Sequence, residues 1–312
     1  MKARIYFIPL LLAVVLTGLG SGCTTTDFVT GKRTRNLYTI EEEIELGRQV
    51  VQQMMGELEK QKLPVNQDPA GVALVREITG NIVAVADIKN VSVWFPGKVE
   101  RMPNYPEKSF DYRASFVGDP KMVNAYALPG GNIMVFEGIW HPKDGLVRTV
   151  DELAAVIGHE IAHVNCRHST EAMTRQIGPN ILLGIGMVWA TLAEKDDLQL
   201  LFGGLMLAYN GLVVTKYSRK DELEADRVGM MYMAQAGYHP EAAVRVWERL
   251  AKARESQIAK PLSIFATHPR DTKRAQELRK HLPRAMELYE AAPVKREGSR
   301  PLVGVGGVMG GK

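Results

Sequence analysis

Apolar positions recur every three to four residues in several stretches of the chain and alternate or run together in others, and these two rhythms separate helices from strands. A helical period runs over 39–60, where Thr39 and Glu42 form a capping box, and again over 70–87, 241–256 and 270–281. Thr149 and Glu152 mark another helix start, followed by the apolar stripe Leu153, Val156, Ile157 and Val164. Ser218 with Asp221 opens a further helix, for which Gly237 is a natural stop. Strand signals fall at 91–95, 112–117, 122–128 and 133–136, with Pro129-Gly130-Gly131-Asn132 as the turn between the last two. The pattern therefore predicts a small sheet, preceded by covering helices and followed by a mainly helical remainder, in the α+β class.

The first residues follow a different rule. Lys2 and Arg4 precede an apolar run over 5–19, and Gly20-Ser21-Gly22-Cys23 follows it, which is the layout of a targeting leader. These small residues resemble a bacterial lipoprotein cleavage site, with Cys23 as the lipidated first residue of the mature chain. Thr24 in place of Asp fits sorting to the outer membrane, so the expected location is the periplasmic side of the cell envelope, membrane-attached through Cys23. The expected organisation is a leader over 1–22, a linker over 23–37, a catalytic domain over 38–290 and a disordered tail over 291–312. Two apolar runs, 181–193 and 198–214, are each shorter than the ~20 residues of a spanning helix, and they read as a helical pair packed on the domain rather than a transmembrane hairpin, with membrane-surface contact or a lid as intermediate alternatives. No 34-residue helical repeat is evident.

Charge narrows the partners. The formal net charge of +4 drops to about +2 once Lys2 and Arg4 leave, and there is no long basic run, so nucleic acid is not an implied partner. Of the two cysteines, Cys166 would be left alone and unable to form an internal disulfide; it reads as a packed thiol.

The chemistry is concentrated in His159-Glu160-Ile161-Ala162-His163. Residues four apart share a helix face, so the two imidazoles can reach one ion while Glu160 stands beside it. A catalytic zinc keeps three protein ligands and a position for water, whose pKa falls to about 7, and Glu160 is the group to take that water's proton. A third ligand has to come from another element, and Glu222 is the candidate. Asp226 shares its face and suits a hydrogen bond from a ligand imidazole, whereas Glu224 is expected to point away. One zinc ion per chain is the expected cofactor.

These blocks, with Asn124-Ala125-Tyr126-Ala127-Leu128-Pro129-Gly130-Gly131, Arg167-His168, Glu222-x-x-Ala225-Asp226, and Thr267-His268-Pro269 followed by Arg274, resemble the gluzincin peptidases, the family of HtpX, BepA and the CAAX prenyl proteases. The resemblance spans roughly 38–285 and implies a mainly helical zincin-type metallopeptidase domain with a small sheet beside the zinc helix. It also implies Glu222 as third ligand and Asp226 behind it. Asn124, Ala125, Tyr126 and Ala127 are candidates for an edge strand that pairs with substrate backbone. His268 could be a reversible fourth ligand or a donor to the developing oxyanion. Arg274 could pair with an acid near the cleft, while His141, His168, His239 and His281 read as structural. The function expected from all this is zinc-dependent endoproteolysis of unfolded or misassembled envelope proteins. The alternative is a lipid-anchored, chaperone-like assembly factor with structural zinc and latent proteolysis, and a permanently bound His268 would favour it.

Overall fold

The computed structural model of the chain describes residues 24–26, 29–86, 110–143, 145–176, 217–255, 268 and 273–302. The leader, Cys23, the strand expected at 91–95, both apolar runs, Thr267, Pro269 and residues 303–312 lie outside the described residues. The chain divides into two compact units, the smaller comprising 1–27, 32–38 and 170–215. Within that unit, β1 (Thr24–Thr26) pairs antiparallel with β2 (Arg33–Arg35), and the Asn36 amide donates to Thr170 Oγ1 at 2.8 Å.

The larger unit carries the chemistry. Its helices are α1 (Ile40–Lys60), α2 (Pro69–Val83), α3 (Val150–Asn165), α4 (Arg219–Gln235), α5 (Glu241–Glu255) and α6 (Arg274–Ala291). Its strands are β3 (Arg113–Val117), β4 (Ala125–Leu128) and β5 (Asn132–Phe136), arranged in the order β3-β5-β4. β3 lies parallel to β5, and β4 returns antiparallel to it through Pro129–Gly131, so β4 is an edge of this sheet. The turn depends on Gly130, with φ +75°; a Cβ there would also sit 2.6 Å from Ile44 Cα of α1. The mainly helical α+β class and the small sheet are thus as expected from the sequence.

Local chemistry sets the helix ends. α1 begins with the complete Thr39–Glu42 capping box, and α4 with the reciprocal Ser218–Asp221 pair. α4 stops where Gly237 takes φ +87°. At α3 only half of the expected box forms. Thr149 accepts from Glu152 N, but the Glu152 carboxylate is engaged by Arg249 at 2.7 and 3.0 Å and by Arg148 N at 2.7 Å. α6 starts four residues later than the periodicity suggested and runs on through Pro283.

The tail departs from expectation over 292–302. Its backbone straps the start of α3, where Val150 N donates to Arg300 O, Asp151 N to Gly298 O and Leu302 N to Arg148 O. Leu302 is buried. Gly298 permits this close approach, since a Cβ there would collide with the Asp151 carboxylate.

α3 is the axis of this unit, because every residue from Val150 to Asn165 is buried. A helix buried all round must satisfy each polar side chain it carries. Asp151 accepts from His239 N at 2.9 Å. Asn165 donates to Ala86 O at 2.7 Å and to the Tyr232 hydroxyl at 3.0 Å, and bonds the Tyr112 hydroxyl. α3 meets α4 where Gly158 faces Gly229, with backbones so close that a Cβ on either would lie within 3 Å of the other. Two glycines at one crossing let the helix bearing His159 approach the helix bearing Glu222. Among the described residues, no helix is long and apolar enough to cross a membrane.

Candidate metal centre

His159 and His163 project from one face of α3 with their Nε2 atoms 3.0 Å apart. Glu222, in the first turn of α4, places Oε2 3.6 Å from His159 Nε2 and Oε1 3.4 Å from His163 Nε2. His268 adds Nδ1 at 2.9 Å from Glu222 Oε1 and 3.3 Å from His159 Nε2. All four residues are buried, and one donor atom from each fits within 4.8 Å.

Two observations test whether a zinc ion suits this set. A tetrahedral ion with ligand bonds of about 2.0–2.1 Å holds its donors roughly 3.3–3.4 Å apart, and the separations above bracket that value. The charges also call for a cation. Glu160, Glu222 and Asp226 are three buried carboxyls facing one permanently charged partner, Arg274, and buried charge needs compensation. Neither oxygen of Glu160 completes a hydrogen bond among the described residues, although His268 Nε2 lies 3.4 Å from Oε1. The residues present fit zinc.

The surroundings shift each ionisable group. Burial raises the Glu160 carboxyl, more than His268 and His159 lower it. Burial alone would raise Glu222 too, but the charges of His268 and Arg274 and hydrogen bonds from His163 and His268 hold it well below the usual carboxylate range. Desolvation pushes His163 well below the ordinary imidazole value, which keeps the ring neutral and its lone pair available.

Behind the donors, Asp226 Oδ1 stands 2.9 Å from His159 Nδ1. Arg274 forks onto Asp226 at 2.6 and 2.7 Å, reaches Glu222 Oε2 at 2.5 Å, and lies with its guanidinium 3.6 Å over the Trp247 ring. The pair with an acid near the cleft that the sequence suggested for Arg274 forms, and it forms with two acids at once in a buried position. Cys166 is buried and takes no part in the donor cluster.

The structure also brings in residues the sequence reading passed over. Tyr217 stacks on His163 with ring centroids 3.8 Å apart, and its hydroxyl reaches Ser169 Oγ at 3.0 Å and Ala127 O at 3.5 Å. Burial raises that phenol above its usual value. His168, read as structural, places Nδ1 2.9 Å from His163 Nδ1. Glu224 turns from the donor cluster as expected, but its carboxylate ends 3.3 Å from His168 Nε2. His168 belongs to one of the blocks that carry the family resemblance, but nothing in that block assigned it a partner, and Tyr217 was marked only by its nearness to Ser218 at the start of α4. The proposed substrate strand lies at the sheet edge: Ala125, Tyr126 and Ala127 form most of β4, and Asn124, fully buried, immediately precedes it.

Comparison with known proteins agrees with this geometry. Residues 98–282 match the model of Peptidase family M48. The mitochondrial metalloendopeptidase OMA1 of Schizosaccharomyces pombe is 39% identical over 176 residues, covering 56% of this chain and 48% of that protein. Its namesake in Saccharomyces cerevisiae is 32% identical over 188 residues, or 59% and 50% of the two chains. The β-barrel assembly-enhancing protease of Escherichia coli is 30% identical over 162 residues, covering 50% of this chain and 32% of that one. The match thus spans half or less of the length of these relatives.

Proposed function

Because the chain belongs to Peptidase family M48, we propose that it is a zinc-dependent endopeptidase, with His159, His163 and Glu222 as zinc ligands, Glu160 as the proton-transferring base and Asp226 orienting His159. The observation that carries this reading is the convergence of three buried donors beside a buried carboxylate whose oxygens complete no hydrogen bond among the described residues. Bound there, zinc supplies Lewis acidity, polarising a peptide carbonyl and lowering the pKa of water to about 7. Glu160 accepts a proton at its carboxylate and delivers it to the departing amine nitrogen, and its raised pKa suits a group that must both take and give. The edge of β4 holds an extended substrate by backbone pairing, which demands little of the substrate's sequence. Arg274 and Asp226 keep the ligand side chains in place.

We assign His268 to the fourth position around the ion, where it excludes substrate until it swings away. Its placement within hydrogen-bond reach of Glu222 supports this. The leader-like start and Cys23 point to the cell envelope, on the periplasmic side and lipid-anchored at the outer membrane. Unfolded or misassembled envelope proteins are the substrate class that the family resemblance implies, and pairing with an extended backbone is compatible with it. The closed set of four donors is the one observation that favours the other reading, an assembly factor with structural zinc.

Cleavage of an unfolded model protein by the full chain, by Glu160→Gln and by His268→Ala, at matched zinc occupancy, separates the two. The protease reading expects loss of cleavage in Glu160→Gln with zinc retained, and faster cleavage in His268→Ala. Slower cleavage in His268→Ala would make His268 an oxyanion donor. Absence of cleavage by every zinc-loaded variant would favour the assembly factor.

A further inference from the structure

We propose that His168 and Glu224 form a buttress that fixes His163 for metal binding, so that the two ligand imidazoles are supported by different devices. The inference rests on the reading above, in which His163 presents Nε2 to the ion. Once Nε2 of His163, which faces His159 and Glu222, is taken up by the ion in place of its hydrogen bond to Glu222, the ring proton sits on Nδ1. On that side His168 Nδ1 lies 2.9 Å away, with the His168 side chain fully buried. Two ring nitrogens at this distance share one hydrogen. His163 donates it, so His168 Nδ1 is bare and His168 carries its own proton on Nε2. There the Glu224 carboxylate waits as acceptor, 3.3 Å away. One tautomer assignment satisfies all three residues.

His159 has a carboxylate, Asp226, directly at its Nδ1, whereas His163 reaches one only through a second imidazole. The longer chain has a structural consequence. His168 lies five residues beyond His163, past the end of α3, while Glu224 is on α4 with Glu222. The buttress therefore ties the chain just past the helix of the two histidines to the helix of the third ligand, in addition to the Gly158–Gly229 crossing and the His159–Asp226 contact. Both residues are positioning residues; neither meets substrate or the ion.

The test is the zinc dissociation constant of the full chain, measured by competition with a chromophoric chelator using zinc alone, in the parent, His168→Leu and His168→Asn. His168→Leu should bind zinc about 10–100-fold more weakly, the usual effect of removing such support. His168→Asn can put Oδ1 where Nδ1 was and should recover most of that loss. Ring-nitrogen NMR of the zinc-loaded parent should find the proton of His163 on Nδ1 and that of His168 on Nε2, a readout that does not depend on any variant folding. Leu binding within twofold of the parent, Asn no tighter than Leu, or a His168 proton on Nδ1 would each overturn the buttress. A parent that binds no zinc would sink the metal-centre reading as well; a parent that binds while His168→Leu is unchanged would sink this inference alone.

Discussion

Replacing Gly229 by Ala perturbs the metal centre without touching any of its side chains. The added Cβ would stand 2.7 Å from Gly158 C and O and from His159 N, all backbone atoms that cannot rotate away. Restoring ordinary contact near 3.4 Å requires α3 and α4 to part by roughly 0.7 Å, several times the ~0.2 Å tolerance of ligand distances at a metal site. Glu222 lies two turns back on α4, and His159 follows Gly158 directly, so the separation falls on the donor set. Overpacking of this kind costs about 1–3 kcal/mol. For a domain of this size that is roughly 2–12 °C in Tm. Gly80→Ala is the control: it is also a helical glycine, nothing lies within 4 Å of its Cβ position, and the change should stabilise by about 0.5–1 kcal/mol. The assays are thermal melting without zinc and zinc titration of both variants. If Gly229→Ala melted within about 1 °C of the parent and bound zinc as tightly, the helix crossing would not set the donor geometry and the argument would be refuted.

Three other outcomes are expected. Arg274→Met leaves Glu222 and Asp226 buried without their shared guanidinium, so urea unfolding in a chelator should show a loss of about 3–5 kcal/mol, partly recovered with zinc; an unchanged zinc-free midpoint would contradict this. Asp151→Asn should melt higher relative to the parent near pH 8 than near pH 4.5. Burial raises the Asp151 carboxyl despite the His239 N–H, so its folded form holds a proton more tightly than the unfolded form, and the stability it contributes at low pH fades as pH rises through the folded value; the opposite trend in melting temperatures would reverse the sign. Thr149→Ala removes the cap of α3 and should cost about 1 kcal/mol in urea unfolding, with zinc affinity little changed because His159 lies nearly three turns away.

The sequence by itself determined what is local. Helix ends are written in Thr39 with Glu42, Ser218 with Asp221 and Gly237, because capping and left-handed stops use only near neighbours. The shared face of His159 and His163 follows from helical spacing alone, and the 3.6-residue repeat likewise placed Asp226 with Glu222. The β4–β5 hairpin was legible for the same reason, as its turn lies between its own strands. Tertiary structure decided what depends on residues distant in the chain. Glu152 forgoes its half of a capping box because Arg249, from another helix, engages its carboxylate. The stretch 292–302 takes its order from the start of α3, which no period within it encodes. His168 and Glu224 have the spacing of ordinary surface residues, and they meet only because Gly158 and Gly229 let two helices approach. Arg274 is charged in any context, but its place between Glu222 and Asp226 exists only once α6 packs on α4, where low dielectric gives the pairing its strength.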